Sequence, residues 1–206
     1  MKLDYIDLFY CHSYDYETLV EETLRTLDDF IKQGKILYAG ISNWNSEQIT
    51  HAIKLADSYL LNRIIVHQCE YSLLKRDIET SIIPVSKEVG VSQIVFSPLA
   101  QGILTGKYND QIPKSSRATN PNVNKFFKKL YTNHSVQKAR KLGELACSYD
   151  MALTELALKW VLREDNVASA LVGASNPNQI AENIKAVLRQ LDAKMLNEIQ
   201  EIIEAD

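Results

Sequence analysis

Ile36-Leu37-Tyr38-Ala39-Gly40-Ile41 is followed by Ser42-Asn43, and then by a segment from Ser46 to about Leu60 with Ile49, Ala52, Ile53 and Ala56 on one face. The first six residues have the apolar, β-branched and aromatic content of a buried strand. The longer segment has the 3.6-residue period of a helix packed on a core, and Ser46 is a residue type that caps helix starts. Strand, polar turn and capped amphipathic helix together make one βα unit.

The alternation continues on both sides. Upstream, residues 5–12 read as a buried strand, and residues 17–33 put Leu19, Val20, Thr23, Leu24, Leu27, Phe30 and Ile31 on one helical face, with Gly34 as its C-cap. Downstream, Ile64-Ile65-Val66-His67-Gln68-Cys69 is a third strand, a helix follows near 77–89, and Gln93-Ile94-Val95-Phe96 is a fourth strand. A polar, irregular stretch runs from about 105 to 132 and holds Pro113 and Pro121. Helices are expected over 135–149 and 153–164, with Leu142, Leu145, Leu156 and Trp160 as core candidates. Ala168 to Val172 is a fifth strand, and amphipathic helices run from Pro177 to Glu204.

Five short apolar strands, each followed by helix, predict an α/β fold with a parallel sheet. A doubly wound sheet and a (β/α)8 TIM barrel both fit the pattern. No G-x-G-x-x-G follows the first strand, which counts against a dinucleotide-binding Rossmann unit. A barrel needs eight strands and typically about 250 residues. As a barrel the chain would be short by three strands, all of which would lie before residue 1. Leu3-Asp4-Tyr5-Ile6-Asp7-Leu8-Phe9-Tyr10, β-rich almost from Met1 with no turn before it, points the same way.

Composition narrows the functional classes. The 206 residues carry 23 Lys+Arg against 26 Asp+Glu, a net charge of −3, which gives no basic field for a phosphate backbone; no nucleic-acid partner is expected. No apolar run approaches the roughly 18 residues of a membrane span, and the N-terminus lacks the apolar stretch and cleavage site of a signal peptide. Cys11, Cys69 and Cys147 are too few and too scattered for a disulfide framework. These features predict a cytoplasmic chain with no membrane partner.

In parallel α/β folds, ligands meet the carboxyl ends of the strands. The polar residues there are His12, Ser42 and Asn43, Gln68 and Tyr71, Ser97 to Gly102, and Gly173 to Ser175. Each has an ordinary structural reading, as a capping or turn residue; their recurrence at the end of every strand points to a shared rim. Asn176 as N-cap with Pro177 at the first helical position opens the helix after the fifth strand, whose free N–H groups and partial positive charge suit an anion. His67 and Cys69, with Cys11 and His12, have metal-ligating side chains. His67 and Cys69 nevertheless alternate with Gln68 and so point away from a pocket that Gln68 faces; no metal site is expected.

The sequence resembles the aldo-keto reductase family, in the style of its bacterial and potassium-channel-β-subunit-like branch. The resemblance is carried by Leu3-Asp4-Tyr5-Ile6-Asp7-Leu8 ending in His12, and by Gly34-Lys35-Ile36 leading to Gly40-Ile41-Ser42-Asn43-Trp44. It continues in Gln68-Cys69-Glu70-Tyr71-Ser72, in Phe96-Ser97-Pro98-Leu99-Ala100-Gln101-Gly102-Ile103-Leu104-Thr105-Gly106-Lys107-Tyr108, in Gly173-Ala174-Ser175 and in Gln179-Ile180-Ala181-Glu182-Asn183. These motifs stand in the family's order and spacing over nearly the whole chain.

The resemblance implies a partial (β/α)8 TIM barrel, its five parallel strands corresponding to strands 4–8, with the N-terminal three βα units absent and residues 1–206 forming one incomplete unit. It also implies an enzyme fold that moves hydride between NADP(H) and an aldehyde or ketone, using an Asp, Tyr, Lys and His tetrad. Only the His segment matches, at His12, where an imidazole would orient the substrate and donate a hydrogen bond to its carbonyl oxygen. The Asp, Tyr and Lys of the family come from earlier strands, and Lys2, Tyr5 and Tyr10 sit in no matching motif. By the same resemblance Ser42, Asn43 and Gln68 hold the nicotinamide carboxamide, and Phe96 faces its ring. Ser97, Pro98, Leu99, Gln101, Gly102, Gly173 and Ser175 belong to the two phosphate loops. Lys107 and Arg117 reach the cofactor's phosphates, and Gln179, Glu182 and Asn183 contact adenine and ribose. Ala174 and Gln179 stand where the aldose-reductase branch carries Lys and Arg for the 2′-phosphate. Two other readings stay open: a non-catalytic cofactor-binding or regulatory protein, and the inactive product of a split gene. The exposed strand edges of an unclosed barrel also imply self-association or a complementing N-terminal fragment.

Overall fold

Strand β1 (Ile6–Cys11) lies beside β2 (Ile36–Ser42), which lies beside β3 (Ile64–Glu70); β4 (Ser92–Phe96) and β5 (Val167–Leu171) complete one sheet of parallel strands in the order β1-β2-β3-β4-β5. This strictly sequential order is that of a barrel wall; a doubly wound sheet would reverse direction part-way. The architecture is therefore α/β, as a partial (β/α)8 barrel. The structure is a computed structural model that describes residues 3–114, 116–119 and 124–205, with the side chains of Arg117 and Asn124 outside that description. Pro121 lies outside the described residues.

The chain packs as two compact units. The first comprises residues 1–70, 77–95 and 165–169, and the second residues 71–76, 96–164 and 170–206. In the first, helices α1 (Val20–Lys32), α2 (Ser46–Ser58) and α3 (Ile82–Val89) cover the strands. Leu24, Ile41, Trp44, Ile49, Ala52, Ile53, Ala56, Ile64 and Val91 form the core between them. Gly40 of β2 leaves room for side chains of both neighbouring strands: a Cβ there would lie 2.7–2.8 Å from the Tyr10 ring and the Val66 side chain. Asp28 of α1 is buried and accepts the backbone and side-chain N–H groups of Asn62 at 2.9 and 2.8 Å, which fastens α1 to the entry of β3.

In the second unit, α4 (Asn124–Leu130), α5 (Asn133–Ser148), α6 (Leu153–Val161), α7 (Pro177–Leu188) and α8 (Ala193–Glu204) surround Trp160, Tyr71, Tyr108, Ile103, Leu104, Leu142, Leu156 and Met195. Trp160 packs on the Tyr71 ring at 5.2 Å, and the Arg163 guanidinium lies 3.7 Å from its centroid. On α7, Ile180, Ile184, Val187 and Leu188 are exposed. Among the described residues no helix is long and apolar enough to cross a membrane.

Several local expectations are corrected. Leu19 is 75 % exposed and precedes α1 instead of joining its buried face. Gln33 is the C-cap of α1, with Gly34 one residue beyond at φ +68°. Asn45, not Ser46, caps α2: its side chain accepts Gln48 N–H while Gln48 reciprocates to the Asn45 N–H, a closed capping box. Residues 77–89 split into a 3-10 turn (Asp77–Glu79) and α3, and the stretch expected to be irregular contains α4 and short 3-10 turns.

Candidate functional site

The first unit gathers four of the expected residues at the ends of β1, β2 and β3. Ser42 closes β2 and is buried, and Asn43 follows in the left-handed region at φ +59°, a conformation asparagine tolerates better than most residues. The Asn43 backbone N–H donates to the Gln68 carbonyl at 3.1 Å. Its side-chain Nδ2 donates to the His12 carbonyl at 3.3 Å and to Ser42 Oγ at 3.0 Å. Those two bonds fix the amide's orientation: Nδ2 is occupied and Oδ1 is left to accept. The Ser42 hydroxyl, already an acceptor, keeps its own proton to donate. Gln68 is half-buried on β3. His12 is exposed, with Nδ1 3.5 Å from Ser13 Oγ. This set offers a donor and an acceptor side by side, the complement of a primary carboxamide.

Tyr10 lies on β1, two residues before His12. Its hydroxyl is buried without a hydrogen-bond partner of good geometry. Burial pushes the phenol's pKa up, an effect that the nearby Gln68 side chain partly offsets. His67 and Cys69, on the other face of β3, meet Gln93. Among the described residues no three His, Cys, Asp or Glu side chains are grouped to hold a metal.

The second unit contains a cleft of about 780 Å³, within the range of small-molecule sites. One wall is the segment after β4, with Ser97, Pro98, Leu99, Gln101, Gly102 and Lys107; the other is the segment after β5 and the start of α7, with Gly173, Ser175, Gln179, Glu182 and Asn183. All eleven were singled out from the sequence. The first wall holds a run of left-handed residues: Ser97 at φ +55°, Ala100 at +46°, Gln101 at +57° and Gly102 at +96°. Strained backbone of this kind persists only where its surroundings over-determine it, and it concentrates at ligand sites. A Cβ on Gly102 would meet Lys107 Cε at 2.9 Å and Nζ at 3.0 Å, so the bare glycine gives the lysine side chain its path.

At the second wall Asn176 caps α7 by accepting Gln179 N–H at 3.1 Å, with Pro177 first in the helix. Gln179 Oε1 accepts the Ser175 N–H at 2.8 Å and its hydroxyl at 3.2 Å. The glutamine therefore folds over its own helix start and keeps its Nε2 protons free for a ligand. The remaining orphan N–H groups and positive end of α7 suit a phosphate. Ser116, also in the cleft, has a buried hydroxyl with no partner, as a ligand-directed group would. The residues present fit a nucleotide's phosphates and sugar.

Phe96 ends β4 half-buried and is not among the residues lining the cleft. The Arg117 backbone forms a 3-10 turn with Ala118 and Thr119, and its side chain lies outside the description. The sequence reading missed Thr105, Ser116 and the start of α6, where Ala152, Leu153 and Thr154 line the cleft. The only available signal for those three was their place at a helix N-terminus.

The Aldo/keto reductase family profile matches residues 1–204. The chain is 34 % identical over 209 residues to the probable voltage-gated potassium channel subunit beta of Oryza sativa subsp. japonica, covering 100 % of this chain and 64 % of that protein. It is 35 % identical over 209 residues to the Arabidopsis thaliana protein of the same name, with the same coverage. With the L-glyceraldehyde 3-phosphate reductase of Escherichia coli strain K12 it shares 36 % identity over 190 residues, covering 91 % of this chain and 55 % of that enzyme. The chain thus spans less than two thirds of the length of these relatives. Matched by the profile over residues 1–204, and carrying polar residues at the ends of parallel strands laid down in sequential order, the chain belongs to the aldo/keto reductase family.

Proposed function

We propose that this chain is an NADP(H)-binding polypeptide of the cytoplasm, of the carbonyl-reducing kind. NADPH, when bound, supplies the hydride for an aldehyde or ketone carbonyl. Ser42, Asn43 and Gln68 hold the carboxamide through the Ser42 proton, Asn43 Oδ1 and the Gln68 amide, and Phe96 faces the ring. Lys107, Arg117, the segment from Ser97 to Gly102 and the α7 start hold the phosphates, while Glu182 and Asn183 hold ribose and adenine. His12 donates a hydrogen bond to the substrate's carbonyl oxygen. Within the family's Asp, Tyr, Lys and His set, only His12 has a counterpart among these residues, so the reading assigns the chain cofactor binding and substrate orientation and no proton donor.

The observation that supports this reading is the cleft in the second unit, where eleven residues chosen from sequence line one cavity. Titrating NADPH against intrinsic fluorescence tests it. Saturable binding is expected, weakened about tenfold in Asn183→Ala by loss of the proposed hydrogen bond to adenine, and binding of the parent and the variant with equal affinity would remove the adenine assignment. A second reading, a regulatory subunit that binds cofactor without turnover, is favoured by the similarity to proteins named potassium channel subunit beta.

A further inference from the structure

On the face of the first unit's strands opposite Gln68 lies a buried polar relay that the cofactor reading leaves unused. His67 is fully buried. Its Nε2 accepts the Trp44 backbone N–H at 3.2 Å, and its Nδ1 lies 2.8 Å from Gln93 Oε1 on β4. The same Oε1 accepts the Cys69 thiol at 3.4 Å. A backbone N–H can only donate, so Nε2 must carry the lone pair and Nδ1 the proton. Gln93 must then present its carbonyl to the ring; with its amide reversed, the imidazole would hold no proton at either nitrogen. That arrangement leaves Gln93 Nε2 buried without a partner, so the relay is kept despite a cost.

The relay ends at the turn that carries the carboxamide-directed groups. Trp44 follows Ser42 and Asn43 and precedes Asn45, the cap of α2. Two consecutive amides of this turn are tied to two consecutive residues of β3: Asn43 N–H to the Gln68 carbonyl, and Trp44 N–H to the His67 ring. Asn43, between Ser42 and Trp44, sits at φ +59° and must be held there. We infer that neutral His67, oriented by Gln93, is a positioning residue that sets the Asn43 side chain for a nicotinamide carboxamide. This inference rests on the reading that Ser42, Asn43 and Gln68 receive that group.

A charge-state dependence follows from the geometry. Protonating Nε2 removes the only lone pair the Trp44 N–H can use and sets two donors against each other. The groups bonded to the ring are the Trp44 amide from the turn after β2 and the Gln93 amide from β4, and the Cys69 thiol of β3 bonds the same Gln93 oxygen. Burial keeps that thiol neutral by pushing its pKa up to about 12. Burial also lowers the His67 pKa, opposed only by the Gln93 bond. The grip is therefore complete at neutral pH and is lost as pH falls below the ordinary histidine value of about 6.5.

The test compares the parent chain with His67→Gln and His67→Leu, titrating NADPH and, as a ligand without nicotinamide, adenosine 2′,5′-bisphosphate between about pH 5 and 8. Glutamine's carbonyl reaches about as far as Nε2 and does not titrate. At neutral pH His67→Leu is expected to weaken NADPH about tenfold, as loss of one buried hydrogen bond implies, and to leave the bisphosphate unchanged. The ratio of the two affinities should fall at acid pH in the parent and stay flat in His67→Gln. An acid loss shared by His67→Gln, or equal weakening of both ligands in His67→Leu, overturns the positioning role. Should the leucine variant not fold, the parent and glutamine profiles still decide. Should the parent bind neither ligand, the cofactor reading fails. The positioning role is then judged by amide hydrogen-exchange protection at Asn43 and Trp44: protection of those two amides that falls below about pH 6 in the parent and holds in His67→Gln supports it, and protection that acid leaves unchanged in the parent, or that falls equally in both proteins, overturns it.

Discussion

Gly102 shows how one residue can set a binding wall. Its φ of +96° lies where an L side chain is strained, and the space a Cβ would need is filled by Lys107. Gly102→Ala is therefore expected to destabilise the fold by about 1–2 kcal/mol from backbone strain alone. It should also displace the lysine and weaken adenosine 2′,5′-bisphosphate binding by roughly fivefold or more, as loss of one charge-assisted contact implies. Thermal melting and ligand titration measure the two effects separately. A variant that melts lower yet binds with the parent's affinity would show that Lys107 does not touch the phosphate. Of this site the sequence made the glycine visible as part of a motif, but the lysine's path across it was not, because no periodicity reports where a long side chain lies.

At the scale of elements, the βα alternation was legible because each strand is a short apolar run and each helix has its own 3.6-residue stripe. Boundaries were less so. Asn45 and Ser46 are both good caps, and the choice fell to Gln48, which completes a box only with Asn45. The stretch 105–132 was polar enough to read as loop, yet Phe127 of α4 is buried against Tyr108 and Tyr131, with ring centroids 4.7 and 4.8 Å away. Tertiary packing of those rings, not local propensity, makes that helix. The α7 start, by contrast, was readable from Asn176-Pro177 alone. Asn176→Ala removes the cap on the Gln179 N–H and should cost about 1 kcal/mol. Hydrogen exchange should rise in the first turn of α7 and not in α5. Exchange rising equally in both helices would mean that the cap supports the unit as a whole instead of this helix start.

Across the whole molecule, no residue in the proposed function acts as proton donor to the carbonyl. Tyr10, beside Gln68, is the tyrosine that invites that role, and its chemistry opposes it. Its hydroxyl is buried without a partner, and its pKa is raised, which makes it a weaker proton donor. Tyr71 is wholly buried with its hydroxyl accepting from Arg163 at 3.2 Å, and Tyr108 is buried with an unpartnered hydroxyl. General acid catalysis contributes typically 10²–10⁴-fold, and an ordinary enzyme turns over at about 10 s⁻¹. The chain should therefore bind NADPH but oxidise it with 4-nitrobenzaldehyde no faster than about 0.001–0.1 s⁻¹. His12→Ala should lower even that residual rate, as the proposed hydrogen bond from the imidazole to the carbonyl oxygen requires. Steady-state absorbance of the nicotinamide decides the matter. Turnover near the ordinary value would mean that a proton donor does stand among these residues, and loss of that turnover in Tyr10→Phe would identify it as the buried phenol, with the substrate itself supplying the partner that the hydroxyl otherwise lacks.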